Sequence, residues 1–239
     1  MKLDIIFENE FYVFVNKPSG MLSIPDRHHP EYVNVKDLLK KIYGQIFVVH
    51  RLDRETSGII CFAKDEHTHA FTSGLFENRH VDKYYLGIVN GCPVEKEALI
   101  EAAIIEHPVH KGKMMIHAKH GKPSATEYKV VENFGRYSLL EFKLLTGRTH
   151  QIRVHMQSIE HPLVCDPLYG LTDPVFISSF KKNFKLSKDV EEEKPILSRL
   201  ALHAFRLCFT SEQGELLQIE ASLPKDMDAM IKQCRKWLK

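Results

Sequence analysis

Several features that mark specialised classes of protein are missing from this sequence. No apolar run approaches the roughly 18 residues that a membrane-spanning helix needs, and acidic residues interrupt the N-terminus before the apolar stretch of a signal peptide develops. Neither a GxGxxG pattern nor the glycine-rich loop of a P-loop protein occurs. We therefore expect a cytoplasmic protein that does not bind membranes and uses no dinucleotide or nucleoside triphosphate.

Cysteine is scarce and scattered. None of the cysteines forms a Cys-x-x-Cys pair, and an odd number without an export signal predicts reduced thiols, mostly in the core: Cys61, Cys92, Cys165, Cys208 and Cys234. Fourteen histidines are present, but pairs such as His28-His29 are weak as ligand spacings. The prediction is that the protein holds no metal.

The net charge of +2 does not by itself indicate a nucleic-acid partner. The segment 107–126 is different, because it has no acidic residue and contains four histidines and four lysines: Lys111, Lys113, Lys119 and Lys122. Such a segment can neutralise phosphates and release their counterions. A solvated hairpin is the alternative, and this segment alone does not decide between them.

Hydrophobic periodicity predicts an α+β protein with one domain over residues 1–239, because strands and helices alternate irregularly. The predicted strands cover 4–7, 11–16, 47–50, 58–63, 83–89 and several segments between 98 and 145. Predicted helices follow the caps Asn34 (with Leu38, Leu39 and Ile42 on one face) and Asp65 (with Ala70, Phe71, Gly74 and Leu75 inward), and the last follows Pro224. The charged segment 181–195 is predicted to be an exposed loop or ragged helix.

The first polar cluster lies in the segment 48–60, where two apolar stretches flank a polar loop, as in scaffolds that present a reactive group. Asp53 stands between Arg51 and Arg54, whose charges favour the ionised carboxylate of a nucleophile or general base. The alternative is a salt-bridged loop in which Thr56 helps to cap the turn.

The second cluster is the segment 146–156, where a glycine turn followed by Thr149 predicts the start of a helix. Helical spacing places His150 and Arg153 on one side, beside an apolar stripe. An arginine at the edge of such a stripe suits a half-buried pair with a carboxylate such as Asp53, or a phosphate. An exposed basic helix end is the alternative.

The third cluster is the predicted strand 83–89. Strand alternation places Lys83, Tyr85 and Gly87 on one face, where Tyr85 could stack on a base and offer its hydroxyl group to a cleft. An ordinary core aromatic is the alternative.

Together these segments resemble the RluA family of RNA pseudouridine synthases. Residues 50–58, reading HRLDRETSG, are similar to its catalytic motif, and 146–155, reading TGRTHQIRVH, to its second signature. Matching residues follow that signature, and weaker matches occur elsewhere: His161-Pro162-Leu163, Asp166, Tyr169-Gly170, Lys17-Pro18-x-Gly20, Lys83-x-Tyr85 and Leu202-His203-Ala204. The resemblance implies a mixed, mostly antiparallel sheet with flanking helices and a central catalytic cleft.

The resemblance also implies a cofactor-free isomerase that converts uridine in transfer RNA, 23S ribosomal RNA or both to pseudouridine. The sequence carries no signal of oligomeric state, and a monomer is taken as the default. Asp53 would either attack C1′ or remove the C2′ proton, Arg153 would pair with it, and Tyr85 would lie against the uracil. Arg51 would fill the stack left by the flipped nucleotide and Ile152 would pack on the base. Further predicted substrate contacts are Thr56, Arg148, His150 and the four lysines.

The chain departs from the family pattern at Glu160 and Cys165, which stand where the family usually has glycine, and at Thr210-Ser211, which stand where a His-Pro pair commonly follows Leu-His-Ala. The first fits a helix C-terminus, where glycine is favoured for its left-handed conformation. No room remains before Asp4 for an S4 RNA-binding domain, so we expect the catalytic domain to select the RNA.

Two other functions stay open. A non-catalytic RNA-binding protein could keep the fold, and a hydrolase of glycosidic bonds could use Asp53 with a second carboxylate, for which Glu55 is the nearest candidate.

Overall fold

A computed structural model describes residues 3–181, 183–186 and 192–238. The predicted loop over 181–195 therefore lies partly outside the described residues. The strands are β1 (Ile5–Glu8), β2 (Tyr12–Lys17), β3 (Phe47–Val48), β4 (Ser57–Ala63), β5 (Asp82–Asn90), β6 (Glu97–Glu101), β7 (Ile104–Glu106), β8 (Met114–Ile116), β9 (Ala125–Asn133), β10 (Tyr137–Leu144), β11 (Leu202–Thr210) and β12 (Leu216–Glu220). The α-helices are α1 (Val35–Tyr43), α2 (Glu66–Glu77), α3 (Gln151–Ser158) and α4 (Lys225–Trp237).

The chain folds as two compact units whose segments alternate along the sequence. The first comprises the described residues up to 85, with 143–145 and 203–222; the second comprises 86–142, 146–202 and 223 onward. The prediction of an α+β protein with a mixed, mostly antiparallel sheet is confirmed.

The first unit is built on the strand order β1-β2-β4-β11, with β3 beside β4 and β12 beside β11. Only the pairing of β4 with β11 is parallel among the registers described here. All seven residues of β4 are buried, and its apolar side chains pack with Phe14, Leu39 and Phe209 in the core. The strand that follows the Asp53 loop is thus anchored in the core of this unit.

The second unit contains the strand order β10-β9-β6 and a separate hairpin of β7 and β8. Helix α4 covers the main core of this unit, since Met227, Met230, Ile231 and Cys234 are at most 2% exposed. The aspartates Asp226 and Asp228 in its first turn and Arg235 in its last complement the helix dipole.

Several predicted details are wrong. The strand over 47–50 covers only Phe47–Val48 and is half-buried. Ile42 is 58% exposed on α1. In α2 the prediction placed Ala70 inward, but Ala70 is exposed and the fully buried residues are Thr68 and Thr72, whereas the predicted Leu75 does pack against the core. Burying these threonines is possible because each hydroxyl group has a partner: Thr68 Oγ1 donates to Asp65, and Thr72 Oγ1 donates to the Thr68 carbonyl.

The five cysteines are free, and Cys61, Cys165 and Cys234 are buried, which confirms the prediction of thiols mostly in the core. Within the described ranges, no helix has the length and apolar character required to cross a membrane. The cytoplasmic location stays a prediction.

Candidate active site

Asp53 lies on the loop that joins β3 to β4, with its side chain half-buried. The residue before it, Leu52, is 6% exposed, and its backbone is held by Ser23: the Ser23 hydroxyl donates to the Leu52 carbonyl at 2.8 Å and is 3.1 Å from the Leu52 amide nitrogen. On the other side, the Thr56 amide donates to the Asp53 carbonyl at 3.2 Å. The loop thus fixes the backbone on both sides of a carboxylate that solvent still reaches.

Lys17 also holds the Asp53 loop in place. Its ammonium group is fully buried and donates to the carbonyls of Pro18, Met21 and Arg54 at 3.1, 2.8 and 3.0 Å. Two further bonds join Gly20 and Arg54, because the Gly20 amide donates to the Arg54 carbonyl at 2.9 Å and Arg54 Nε donates to the Gly20 carbonyl at 3.1 Å. A buried charge needs such partners, and here they tie the segment after β2 to the Asp53 loop. The sequence offered Lys17 only as part of a weak motif match.

Tyr85 belongs to the same unit and is half-buried on β5. Burial, with a smaller contribution from the negative charge of Asp53, raises the pKa of the Tyr85 hydroxyl group well above its ordinary value. The hydroxyl group therefore stays protonated at neutral pH. Two of the three predicted catalytic residues thus lie close enough for the charge of Asp53 to affect the Tyr85 hydroxyl group.

The start of β4 lies unusually close to β11. Gly58 has φ +116°, and a Cβ atom there would be 2.2 Å from the carbonyl oxygen of Ala204, so only glycine fits. Beside it, Ser57 Oγ lies 3.0 Å from His203 Nδ1, and His203 Nε2 lies 3.1 Å from the Ala221 carbonyl. The carbonyl requires a proton on Nε2, so Nδ1 accepts from Ser57. Ser57, in the catalytic motif, and His203, in the weaker Leu202-His203-Ala204 match, are thus buried residues that hold β4 and β11 together.

Arg153 is buried on α3 in the second unit, at 2% exposure, and not half-buried as predicted. Its Nε and Nη2 donate to the two carboxylate oxygens of Asp166 at 2.8 and 2.6 Å, a bidentate pair. Asp166 Oδ1 also accepts from the amides of Leu168 and Tyr169 at 2.9 and 3.1 Å, and the Tyr169 ring lies 4.9 Å from the guanidinium carbon. The sequence motif includes Asp166, but it did not predict the pairing of Asp166 with Arg153.

The model of the RNA pseudouridylate synthase family matches residues 11–158, which include the Asp53 loop, Tyr85 and Arg153. The chain belongs to this family. It is 34% identical over 239 residues to the ribosomal large subunit pseudouridine synthase D of Nitrosomonas europaea, covering 98% of this chain and 65% of that protein. It is 33% identical over 216 residues to the dual-specificity RNA pseudouridine synthase RluA of Vibrio cholerae, covering 90% of this chain and 80% of that protein.

Among solved structures, human RNA pseudouridylate synthase domain containing 4 shares the fold, with a TM-score of 0.74 at 23% identity and coverage of 97% and 93% of the two chains. The chain spans 60 to 65% of the length of the first curated relatives that it matches.

The two positions at which this member of the pseudouridylate synthase family lacks the usual glycine both have left-handed backbone. Glu160, which follows the C-cap of α3, has φ 65°, and Cys165 has φ 54°. The prediction that Glu160 occupies a glycine-like position at the end of α3 is confirmed.

Helix α3 begins at Gln151, two residues after Thr149, so the predicted start near Thr149 is nearly right but Thr149 is not the cap. The N-cap is His150, whose backbone is left-handed and whose side chain makes no capping bond. The turn is closed from inside the helix, because Gln151 Oε1 accepts from the Arg148 amide at 3.0 Å and from Thr146 Oγ1 at 2.7 Å.

The predicted substrate-binding residues differ in exposure. Arg51 is exposed, Arg148 and His150 are half-buried, and Thr56 and Ile152 are buried at 2% and 3% exposure. Their contacts with substrate stay predictions.

Two of the four predicted lysines, Lys111 and Lys113, lie in the loop between β7 and β8, and the other two, Lys119 and Lys122, follow β8. Lys111, Lys119 and Lys122 are exposed and Lys113 is half-buried. Tyr169 connects the hairpin to the Arg153–Asp166 pair. Its hydroxyl group accepts from the Met114 amide, and its ring lies 5.5 Å from Lys113 Nζ. In the part of the chain that the structure describes, no three His, Cys, Asp or Glu side chains are grouped so that they could hold a metal ion.

Proposed function

We propose that this chain isomerises uridine to pseudouridine in transfer RNA, in large-subunit ribosomal RNA or in both. The observation that carries the proposal is the Asp53 loop: a half-buried carboxylate is held between fixed backbone groups, and its charge acts on the hydroxyl group of Tyr85. Family membership supports it, as do relatives whose names specify a ribosomal and a dual-specificity enzyme.

The reaction breaks the C1′–N1 bond, rotates the uracil and joins C1′ to C5, so that the base loses the C5 proton and N1 gains one. The overall change needs neither an oxidant nor water. Asp53 serves this chemistry either by attacking C1′ or by removing the C2′ proton. Tyr85, kept in its protonated form by burial, lies against the uracil and assists loss of the C5 proton through its hydroxyl group.

Arg153 is proposed to keep Asp53 ionised and correctly directed. Asp166 uses Nε and Nη2 of the guanidinium group, and arginine has five N–H donors in a fixed plane. Arg51, exposed on the same loop as Asp53, would enter the stack of the flipped nucleotide, and Ile152 would pack on the base.

The same proposal includes one catalytic domain over residues 1–239, acting as a cytoplasmic monomer, with RNA as its partner. Thr56, Arg148 and His150 would contribute to RNA binding through the loop and helix turn to which they belong.

The decisive test is tritium release from transcripts that carry 5-tritiated uridine, one of transfer RNA and one of 23S ribosomal RNA. Wild type should release tritium from at least one of them. Asp53→Asn should release none, because an amide can neither attack C1′ nor accept a proton, while its RNA affinity stays within a few-fold of wild type.

Glu55→Gln is the matched control, since it neutralises the other carboxylate of the same loop, which lies 3.8 Å from Arg54. It should retain turnover. Loss of turnover in both variants, with free uracil as the product of wild type, would indicate a hydrolase with paired carboxylates. Binding without release by wild type would leave a non-catalytic RNA-binding protein.

A further inference from the structure

A cavity of about 510 Å³ lies beside the Asp53 loop within the first unit. Its wall includes the backbone of Pro18 to Met21, which Lys17 holds against the loop, together with Tyr32, Val33 and Arg54. A cavity of this size is within the range of about 300–1,000 Å³ that is typical of binding sites for small organic groups. Arg54, which lines the cavity, directly follows Asp53 in the chain.

The cavity is lined by side chains that can hold an aromatic ring. Tyr32 is 40% exposed and Val33 is 56% exposed. The guanidinium carbon of Arg54 lies 5.4 Å from the centre of the Tyr32 ring, and the ring of His29 stacks on Tyr32 at 4.9 Å with an angle of 17° between the planes. Aromatic rings and guanidinium planes are the surfaces on which unpaired nucleobases stack.

The charge of the cavity favours a base over a phosphate. Arg54 is the basic residue in its wall, and Glu31 contributes a carboxylate to the same wall. Arg54 and Glu31 carry opposite charges, and the Glu31 carboxylate lies 3.3 Å from His29 Nδ1, so the wall has no excess of positive charge to favour a phosphate. The carboxylate can accept a hydrogen bond from the amino group of a base. The occupant that fits all three features is an unpaired nucleobase.

We infer that the cavity binds an unpaired base of the RNA substrate that lies close in sequence to the uridine at Asp53, held between the Tyr32–Arg54 pair and the Pro18–Met21 wall. The inference rests on the proposed function, because it takes the uridine to be bound at Asp53. It assigns to residues 29–33 a role in the choice of RNA that none of the catalytic residues provides.

The test is the binding of an oligouridine strand that carries a single 2-aminopurine, followed by the fluorescence of that base. Stacking quenches the fluorescence on wild type. Tyr32→Ala should weaken binding about tenfold and abolish the quenching, whereas Tyr32→Phe should stay within about twofold of wild type, because the ring is retained.

Tyr43→Ala is the matched control. Tyr43 also has a cation over its ring, with Lys64 Nζ at 4.7 Å. Lys64 follows the far end of β4, roughly 20 Å along that strand from the Asp53 loop, so the variant should bind like wild type. Equal affinity of Tyr32→Ala and wild type, or equal competition by a strand with an abasic site in place of 2-aminopurine, would overturn the inference.

Tritium release separates this inference from the proposed function. No release by wild type, with binding that still depends on Tyr32, would remove the enzyme and retain the base-binding site. Normal release by Tyr32→Ala on the preferred RNA, with an unchanged KM, would remove the base-binding site and retain the enzyme.

Discussion

His50, three residues before Asp53, is held neutral by its surroundings. Its Nε2 accepts from the Cys61 amide at 3.0 Å, and its ring stacks on Phe76 at 4.7 Å. Burial, with a smaller contribution from the positive charge of Lys83, lowers the pKa of His50 to about 3. The imidazole therefore serves as a fixed hydrogen-bond acceptor at the start of the Asp53 loop and does not exchange protons at neutral pH.

This lowered pKa predicts a loss of stability in mild acid. Below the ordinary histidine pKa of about 6.5, the unfolded chain takes up a proton at His50 and the folded protein does not, so the free energy of unfolding falls as the pH falls from about 6.5 towards 3. Between these two pKa values the contribution approaches about 1.4 kcal/mol per pH unit. The free energy of unfolding should therefore be measured by chemical denaturation at pH 7.5 and pH 5. Its decrease between these pH values should be about 1–2 kcal/mol smaller for His50→Gln than for wild type, because glutamine keeps an acceptor for Cys61 but does not titrate. Parallel curves for the two proteins would contradict the assignment.

At the scale of elements, a residue with left-handed backbone stands near each end of α3. His150 precedes it with φ 55°, and Glu160 follows its C-cap with φ 65°. Both positions carry a Cβ atom in a conformation that costs a residue other than glycine about 1–2 kcal/mol. The helix that carries Arg153 is thus bounded by sharp turns that its own sequence does not favour.

Glu160→Gly should raise the free energy of unfolding. Glycine removes the strain of the left-handed conformation, although it also gives the unfolded chain more freedom, which offsets about 0.4–1 kcal/mol. The expected net gain is about 0.5–1 kcal/mol, measured by chemical denaturation. The same substitution at exposed, helical Gln157 is the control and should cost about 1 kcal/mol. A loss of stability in Glu160→Gly would show that the Glu160 side chain stabilises the turn by more than the strain.

The start of α3 also illustrates what the sequence could not predict. Asn34 and Asp65 have the short polar side chains that favour helix caps, and the sequence predicts both. In the structure each accepts from the amide three residues later, at 2.9 and 2.8 Å. Thr149 has the same chemistry, but the turn is closed by Gln151, which follows it in the chain and bonds backwards. Local propensity identifies a cap when the bond is local, and it misplaces the helix when a longer side chain closes the turn.

At the scale of the whole molecule, the candidate catalytic residues could be named from the sequence. The hydrogen-bond partners that fix the segments around them could not. The motifs identified Asp53, Tyr85 and Arg153 as single residues. The partners come from distant segments: Lys17 lies 37 positions from the Arg54 carbonyl that it binds, and Ser57 lies 146 positions from His203. Contacts at such separations depend on strand order, and periodicity carries no information about strand order.

The distribution of charge is the other property of the whole molecule that function requires. A chain with a net charge of +2 attracts RNA only weakly as a whole, so binding needs a local excess of positive charge. The acid-free segment around the β7–β8 hairpin has such an excess, with Lys111, Lys119 and Lys122 exposed and Lys113 half-buried.

Replacing these four lysines by glutamine should make RNA binding less sensitive to salt. Each lysine that contacts a phosphate contributes about 0.7–0.9 to the slope of log affinity against log salt concentration, so the slope should decrease in magnitude by about 3.

A control with the same change of charge replaces four exposed lysines elsewhere in the same unit: Lys185, Lys225, Lys232 and Lys236. If both quadruple variants lower the slope equally, the attraction depends on net charge alone. If neither changes it, the hairpin is a solvated surface and RNA is bound elsewhere. A decrease confined to the hairpin variant would assign the RNA backbone to this surface, because release of counterions requires phosphates close to the lysines that are removed.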